Sequence, residues 1–269
     1  MTTLLQISDP HFGSEVPGAC DALVRLAQEL APELVVLSGD ITQRAQRDEF
    51  RAAREFIGRI GDPPLLAIPG NHDIPLFNVA LRLWRPYANY AREFGANLEP
   101  TFSSRSWRVI GVKTTRRYRH KQGEVSGAQV SRVAGELARA DAAQLRIVVL
   151  HHPVQVERAD DDENVLRGHA EAVREWASAG ADLILGGHIH LPYVSALHER
   201  RQAMPRNLWA VQAGTAVSSR IRREAPQSVN VIRAMPSALS RSCIVERWDY
   251  SLVRNSFAQV SAVTLECSP

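Results

Sequence analysis

The sequence predicts a layered α/β fold, and three observations lead there. Over the first two thirds of the chain short apolar runs alternate with helical periodicities, the last third is mostly strand pattern, and no linker, repeat or low-complexity tract interrupts either part. Strands that alternate with helices need those helices to cover their faces. One domain over residues 1–269 is therefore expected rather than two.

Taken in order, Thr3 to Ser8 reads as a strand that breaks at Asp9-Pro10-His11-Phe12-Gly13. Residues 17 to 31 set Ala22, Leu23, Leu26, Ala27 and Leu30 on one stripe, which makes a helix. Glu33 to Ser38 is a second, buried strand ending in Gly39-Asp40. From about Gln46 to Ile60, Phe50, Ala53, Phe56, Ile57 and Ile60 fall at helical spacing, and Gly61 with Pro63-Pro64 stops the helix. Leu65 to Pro69 is a third buried strand, emptying into the tight turn Gly70-Asn71-His72-Asp73. Pro86 divides residues 75–94 into two short helices or one interrupted helix.

Trp107 to Val112 is a strand, followed by a loop from Lys113 to Glu124 that carries Arg116-Arg117-Tyr118-Arg119-His120-Lys121. After a helix near 127–140, Leu145 to Leu150 is the most strand-like run in the chain, and it ends in His151-His152-Pro153. The acidic stretch Asp160-Asp161-Asp162-Glu163 is expected to be a solvated loop and the start of a helix reaching about Ala179, where carboxylates favour the positive end of the dipole. Leu183 to Leu185 is a short strand that ends in Gly186-Gly187-His188-Ile189-His190. Strands are expected near 193–198, 207–213, 228–234, 242–248 and 256–265.

Hydrophobic residues make up 45% of the chain and charged residues 23%, far from the extremes of disordered or membrane proteins. No apolar run approaches a bilayer span, and residues 1–7 carry no basic region or cleavage signal, so a cytoplasmic location is expected. Cys20, Cys243 and Cys267 are scattered and odd in number, which argues against a disulfide framework and a thiolate zinc site. The net charge is +3, and of 32 basic residues only Lys113 and Lys121 are lysine. That bias does not by itself indicate a nucleic-acid partner. Arginine's planar fork does suit phosphate wherever it lines a pocket.

Five predicted strands end in chemistry-bearing groups: Asp9 with His11, Asp40, Asn71 with His72, His151, and His188 with His190. In open α/β sheets ligands bind beyond the carboxyl ends of the strands, where these groups would converge. Each alone fits an ordinary role as a helix cap, a turn residue or a surface histidine. Coincidence at five strand ends is a poor account of all of them. A nitrogen and oxygen donor set without sulfur suits Mn, Fe, Zn or Ni. Eight such groups exceed what one small cation takes, whereas two cations bridged by one carboxylate accommodate them, and paired metals about 3.5 to 4 Å apart serve phosphoester hydrolysis.

The blocks Asp9-x-His11, Gly39-Asp40, Gly70-Asn71-His72-Asp73, His151 after Val148-Val149-Leu150, and Gly187-His188-Ile189-His190 resemble the signature of the calcineurin-like metallophosphoesterases, in the family's order over residues 9–190. The resemblance implies a four-layer α-β-β-α sandwich with two mixed sheets, to which the strand-rich part 191–269 contributes. It also implies that Asp9, His11 and His190 bind one metal, that Asn71, His151 and His188 bind a second, and that Asp40 bridges them. His151 is preferred to His152 because the family's ligand directly follows its strand. His72 would contact the phosphate and assist the leaving group. Many members carry an acidic residue three positions after the bridging Asp, but here that position is Gln43. Either Gln43 or Asp73 orients His72, or that ring is less firmly held.

Two cations lower the pKa of a shared water, so that hydroxide is available for in-line attack near neutral pH. Within the family, Leu150-His151-His152-Pro153 and Gly186-Gly187-His188-Ile189-His190 are most similar to the bacterial class III cyclic-nucleotide phosphodiesterases. The expected substrate is a small phosphodiester such as a cyclic nucleotide. Alternatives are a phosphomonoesterase or nuclease of the same superfamily, or a non-catalytic metal-binding scaffold. Candidate substrate contacts are Arg116, Arg119 and His120 in the basic loop, and Arg220 with Arg222 and Arg223 after Gln212-Ala213-Gly214-Thr215-Ala216; solvated arginine-rich loops are the alternative. Nucleic acid is not an expected partner, and a homodimer is one of the assemblies left open.

Overall fold

The computed structural model describes residues 1–61, 63–200, 204, 206–222, 225–235 and 241–267. In chain order its strands are β1 (Thr2–Ile7), β2 (Leu34–Ser38), β3 (Leu65–Ile68), β4 (Thr101–Ser103), β5 (Trp107–Gly111), β6 (Leu145–Val149), β7 (Leu183–Gly186), β8 (Tyr193–Ala196), β9 (Trp209–Gln212), β10 (Ser228–Met235), β11 (Arg241–Ser251) and β12 (Ser256–Cys267). The helices are α1 (Pro17–Leu30), α2 (Arg47–Arg59), α3 (Val79–Trp84), α4 (Ala88–Phe94), α5 (Gly127–Ala138), α6 (His169–Ser178) and α7 (Leu197–Arg200).

Among the described residues these strands form two six-stranded sheets, in the orders β12-β11-β10-β1-β2-β3 and β4-β5-β6-β7-β9-β8. Both are mixed. β1, β2 and β3 pair in parallel and β10 joins β1 antiparallel, while β5, β6, β7 and β9 are parallel between antiparallel edges. Parallel strands must be covered on both faces, and the two-residue period of β2 shows how. Val35 and Leu37 face Leu23, Phe50 and Ile57 beneath α1 and α2. Leu34 and Val36 face Val109, Ile147 and Leu183 of the other sheet. On that sheet's far side Val148 and Leu150 pack with Val133 and Trp176 under α5 and α6. Three apolar layers between four structural layers make the α-β-β-α sandwich that the family resemblance implies.

Several elements differ from the sequence reading. The strand near 193–198 stops at Ala196, where α7 begins. β4 has no counterpart in the reading, since three residues are too few to display a period. The acidic stretch does not open α6; Ala159–Asn164 is a separate 3₁₀ turn, and Gly168, at φ 83°, precedes α6. Pro86 does separate α3 from α4. All three cysteines are free and buried. Among the described residues no helix is long and apolar enough to cross a membrane.

Candidate functional site

The loops that leave β1, β2, β3, β6 and β7 meet where the two sheets' carboxyl ends come together. Asp9, His11, Asp40, His188 and His190 all sit at positive φ, between 44° and 73°. Left-handed backbone costs an ordinary residue about 1 to 3 kcal/mol and persists only where its surroundings enforce it. The enforcement is close packing of loop on loop. A Cβ on Gly70 would overlap the backbone nitrogen and carboxylate of Asp40, and one on Gly187 would overlap Ser8 Oγ and Asp9.

Asp40, only 2% exposed, lies at the centre of the cluster. Its Oδ2 is 3.7 Å from His11 Nε2, and its Oδ1 is 3.3 Å from His151 Nε2. On the first side His190 Nε2 lies 3.3 Å from Asp9 Oδ1 and 3.1 Å from His11 Nε2. On the second, Asn71 Oδ1 is 3.2 Å from His151 Nε2. His188 adds its main-chain N–H to Asp9 Oδ2 at 3.0 Å.

Ring orientations are set from behind. His151 Nδ1 donates to Ser38 O at 3.0 Å and His190 Nδ1 to Arg220 O at 2.6 Å, which turns each Nε2 into the cluster. His152 differs. Its Nδ1 is 2.7 Å from Thr114 Oγ1 and its Nε2 donates to Lys121 O at 2.7 Å, so both nitrogens are occupied. Burial pushes its pKa down to about 3.

Charge in this enclosure is tightly balanced. Burial alone would raise the Asp40 carboxyl, but the His151 and His72 rings outweigh it and hold it well below the usual range. Conversely, burial would lower His151, and the Asp40 carboxylate overcomes that and raises it to about 9. The residues fit metal ions. Nδ1 of His11 and of His188 is buried with no protein partner among the described residues, and buried polar atoms in that state call for a bound water or ion. Ligand atoms of Asp9, His11 and His190, and those of Asp9, Asp40 and His151, lie within 4.8 Å of one another.

His72 stands over the first group, its ring edge-on to His11 with centroids 4.8 Å apart. Its Nδ1 donates to the main-chain carbonyl of Gln43 at 2.9 Å. The two side chains expected to orient it are engaged elsewhere. Gln43 Oε1 accepts from Arg220 Nη1 at 2.9 Å. The Asp73 carboxylate accepts from the N–H groups of Gly70, Ile41 and Thr42 at 2.8, 3.1 and 2.8 Å and from Thr42 Oγ1 at 2.8 Å, tying the β2 and β3 loops together. Burial and the Asp40 charge push that carboxyl up to about 6.

A polar cavity of about 340 Å³ opens over Asp40, Asn71, His72, His188 and His190. Arg220, Arg222 and Lys121 line it, and so do Asp160, Asp161, Glu163 and Asn164. Asp160, Asp162 and Glu163 are exposed, as a solvated stretch would be, but Asp160, buried Asp161 and Glu163 also form part of the cavity wall. Asp161 is buried in an ion pair with Arg222, a partner 61 positions away that no local reading would supply. The basic loop is largely turned aside. Arg116 bonds Gln129 Oε1 at 2.8 Å, Arg119 bonds Glu124 Oε2 at 3.1 Å, and exposed His120 is outside the cavity lining. Only Lys121 of that run reaches the wall. Arg223 lies outside the described residues.

Known proteins resemble this chain in sequence and fold. Residues 2–192 fit the calcineurin-like phosphoesterase family model. The chain is 26% identical over 213 residues to a protein of Synechococcus sp. named "Probable cyclic nucleotide phosphodiesterase", covering 71% of this chain and 74% of that one. It is also 26% identical over 170 residues to the glycerophosphodiester phosphodiesterase GpdQ of Enterobacter lignolyticus, spanning 59% of this chain and 60% of the relative. In fold it resembles the crystal structure of a dimetal phosphatase from Danio rerio, with a TM-score of 0.68, 13% identity and 99% of each chain covered. A family match over most of the chain, on a fold whose strand ends gather Asp, Asn and His around one cavity, shows that the chain belongs to the calcineurin-like phosphoesterases and is a metal-dependent phosphoester hydrolase.

Proposed function

We propose that the protein is a phosphodiesterase acting on a small phosphodiester such as a cyclic nucleotide, with residues 1–269 as one catalytic domain. The observation that carries the two-metal reading is Asp40, whose two oxygens face different groups: Oδ2 toward His11, and Oδ1 toward His151. Asp9, His11 and His190 would hold one ion and Asn71, His151 and His188 the other, with Asp40 between them. Mn, Fe, Zn and Ni suit these donors. Bound there, the ions supply Lewis acidity and a water activated near neutral pH.

The chain's own groups do the rest. The main-chain N–H of His72 donates to Asp40 Oδ1 at 2.7 Å, fixing the carboxylate. The His72 ring, held through Nδ1, turns Nε2 to the cavity, where it can meet a phosphoryl oxygen or pass a proton to the departing alkoxide. Support for a diester comes from the two phosphodiesterase-named relatives and from the wall itself. Asp160 and Glu163 line the cavity with Arg220 and Lys121, and carboxylates there disfavour the second charge of a monoester.

The test is a substrate panel with Mn-loaded protein: bis-p-nitrophenyl phosphate, p-nitrophenyl phosphate, cyclic AMP and 2′,3′-cyclic nucleotides. Diester turnover with little monoester turnover is expected. Preference for the monoester would overturn the phosphodiesterase reading.

A further inference from the structure

Gln43 makes two contacts at the cavity mouth, through different atoms. Its main-chain oxygen accepts from His72 Nδ1 at 2.9 Å, and its side-chain Oε1 accepts from Arg220 Nη1 at 2.9 Å. The same guanidinium nitrogen stands 3.5 Å from His72 Nε2. Arg220 is also anchored at its root. Its N–H donates to Ser218 Oγ at 2.9 Å, and its carbonyl accepts from His190 Nδ1 at 2.6 Å. The side chain therefore leaves a fixed point and is held at its tip, next to His72 and on the wall of the cavity.

From this arrangement we infer that Arg220 is a phosphoryl-contacting residue and that Gln43 is the positioning residue that sets it beside His72. The inference rests on the reading of the cavity as the phosphoester site. A neutral amide suits this task in a way that an acid does not. One hydrogen bond to Nη1 fixes the fork and leaves its full positive charge and its remaining N–H donors for the substrate. A carboxylate in the same place would pair with the guanidinium and neutralise it before any phosphate arrived. The Gln43 position thus selects a cavity in which arginine, alongside histidine, faces a non-bridging phosphoryl oxygen. Arg222, the neighbouring guanidinium, is not equivalent, because it is committed to Asp161 and to Ile189 O.

The test compares wild type with Arg220→Met, Arg220→Lys, Gln43→Glu and Gln43→Ala, all Mn-loaded, with metal content measured on each. Readouts are KM and kcat for bis-p-nitrophenyl phosphate and the affinity for inorganic phosphate by calorimetry. Losing a charge-assisted contact predicts that Arg220→Met weakens phosphate binding and raises KM about tenfold or more, with metal content unchanged. Gln43→Glu should approach that loss although it keeps the side-chain shape, while Arg220→Lys, which keeps the charge without the fork, falls between. Unchanged KM and phosphate affinity in Arg220→Met overturn the contact. A Gln43→Glu variant indistinguishable from wild type overturns the positioning role, and metal loss in Arg220→Met shows a purely structural residue instead. A wild-type protein that binds metal but hydrolyses no phosphoester defeats the underlying reading, a result separate from all of these.

Discussion

The His72 ring is held by the main-chain carbonyl of Gln43, 2.9 Å from Nδ1, and, among the described residues, by no acidic side chain. Any residue at position 43 supplies that carbonyl. Removing the ring also leaves the main-chain N–H of His72 on Asp40 Oδ1. His72→Ala should therefore keep its metal, by elemental analysis after gel filtration, while activity falls about 10²- to 10⁴-fold. Asp40→Ala should lose both. Full metal loss in His72→Ala would show that the ring is a ligand.

His151 and His152 are adjacent and chemically alike, yet one faces the cluster and the other is spent on Thr114 and Lys121. His151→Ala should lower the bound metal by about one equivalent. His152→Ala should leave metal content intact and cost about 1 to 3 kcal/mol of stability, because Thr114 and the Lys121 carbonyl lose a buried partner. Urea unfolding with metal analysis on the same samples separates the two. Equal metal loss in both variants would place His152 among the ligands.

Much of this was legible in the chain, for a physical reason. Buried parallel strands such as β2 and β6 carry continuous apolar runs, Leu34 to Leu37 and Ile147 to Val149, so their ends are sharp, and polar residues at those ends are conspicuous. The contacts that orient the site were not legible. A carbonyl such as Gln43 O exists at every position and carries no signal. Asp161 reads as solvent-facing until Arg222 is brought beside it, and Arg116 and Arg119 read as free until Gln129 and Glu124 fold back on them. The strands after Tyr193 were visible as strands, but their division between two sheets is a property of long-range pairing.

Asp73 staples two ligand-bearing loops, accepting four hydrogen bonds while 1% exposed. Asp73→Ala leaves those donors buried and unpaired, at a cost of about 2 to 4 kcal/mol in urea-monitored stability. Because it does not touch the His72 ring, the loss should show first in stability and metal affinity. A variant of full stability with kcat alone depressed would restore Asp73 as the orienting acid.

Cys20 reports on the core between α1 and its sheet, and Cys243 and Cys267 report on the core between the two sheets. Burial, reinforced by the Glu15 and Asp21 charges, pushes Cys20 up to about 12 from an ordinary 9.0. The folded state thus keeps a proton that the unfolded chain gives up, and stability from this group is present below pH ~9 and lost as pH rises toward 12. Native protein at pH 8 should resist iodoacetamide, and protein in urea should take up three labels by intact mass, one for each free cysteine. Stoichiometric labelling of Cys20 without denaturant would contradict its burial.

Arg222 spans the cavity wall. It pairs with Asp161 in the 3₁₀ turn and donates through Nη1 to Ile189 O at 3.0 Å, between His188 and His190. Breaking a buried pair from one side leaves the other charge uncompensated, at about 3 to 5 kcal/mol when both partners are fully enclosed. Here Asp161 is 1% exposed and the Arg222 side chain 28%, so water discounts the cost to about 2 kcal/mol. Arg222→Met should show that loss, and adding Asp161→Asn should recover part of it, because the stranded carboxylate is then gone. The double-mutant cycle isolates the pair from whatever else each residue does. If the two losses simply add, the carboxylate and guanidinium are independent in solution and the acidic turn is not braced against the histidine loop.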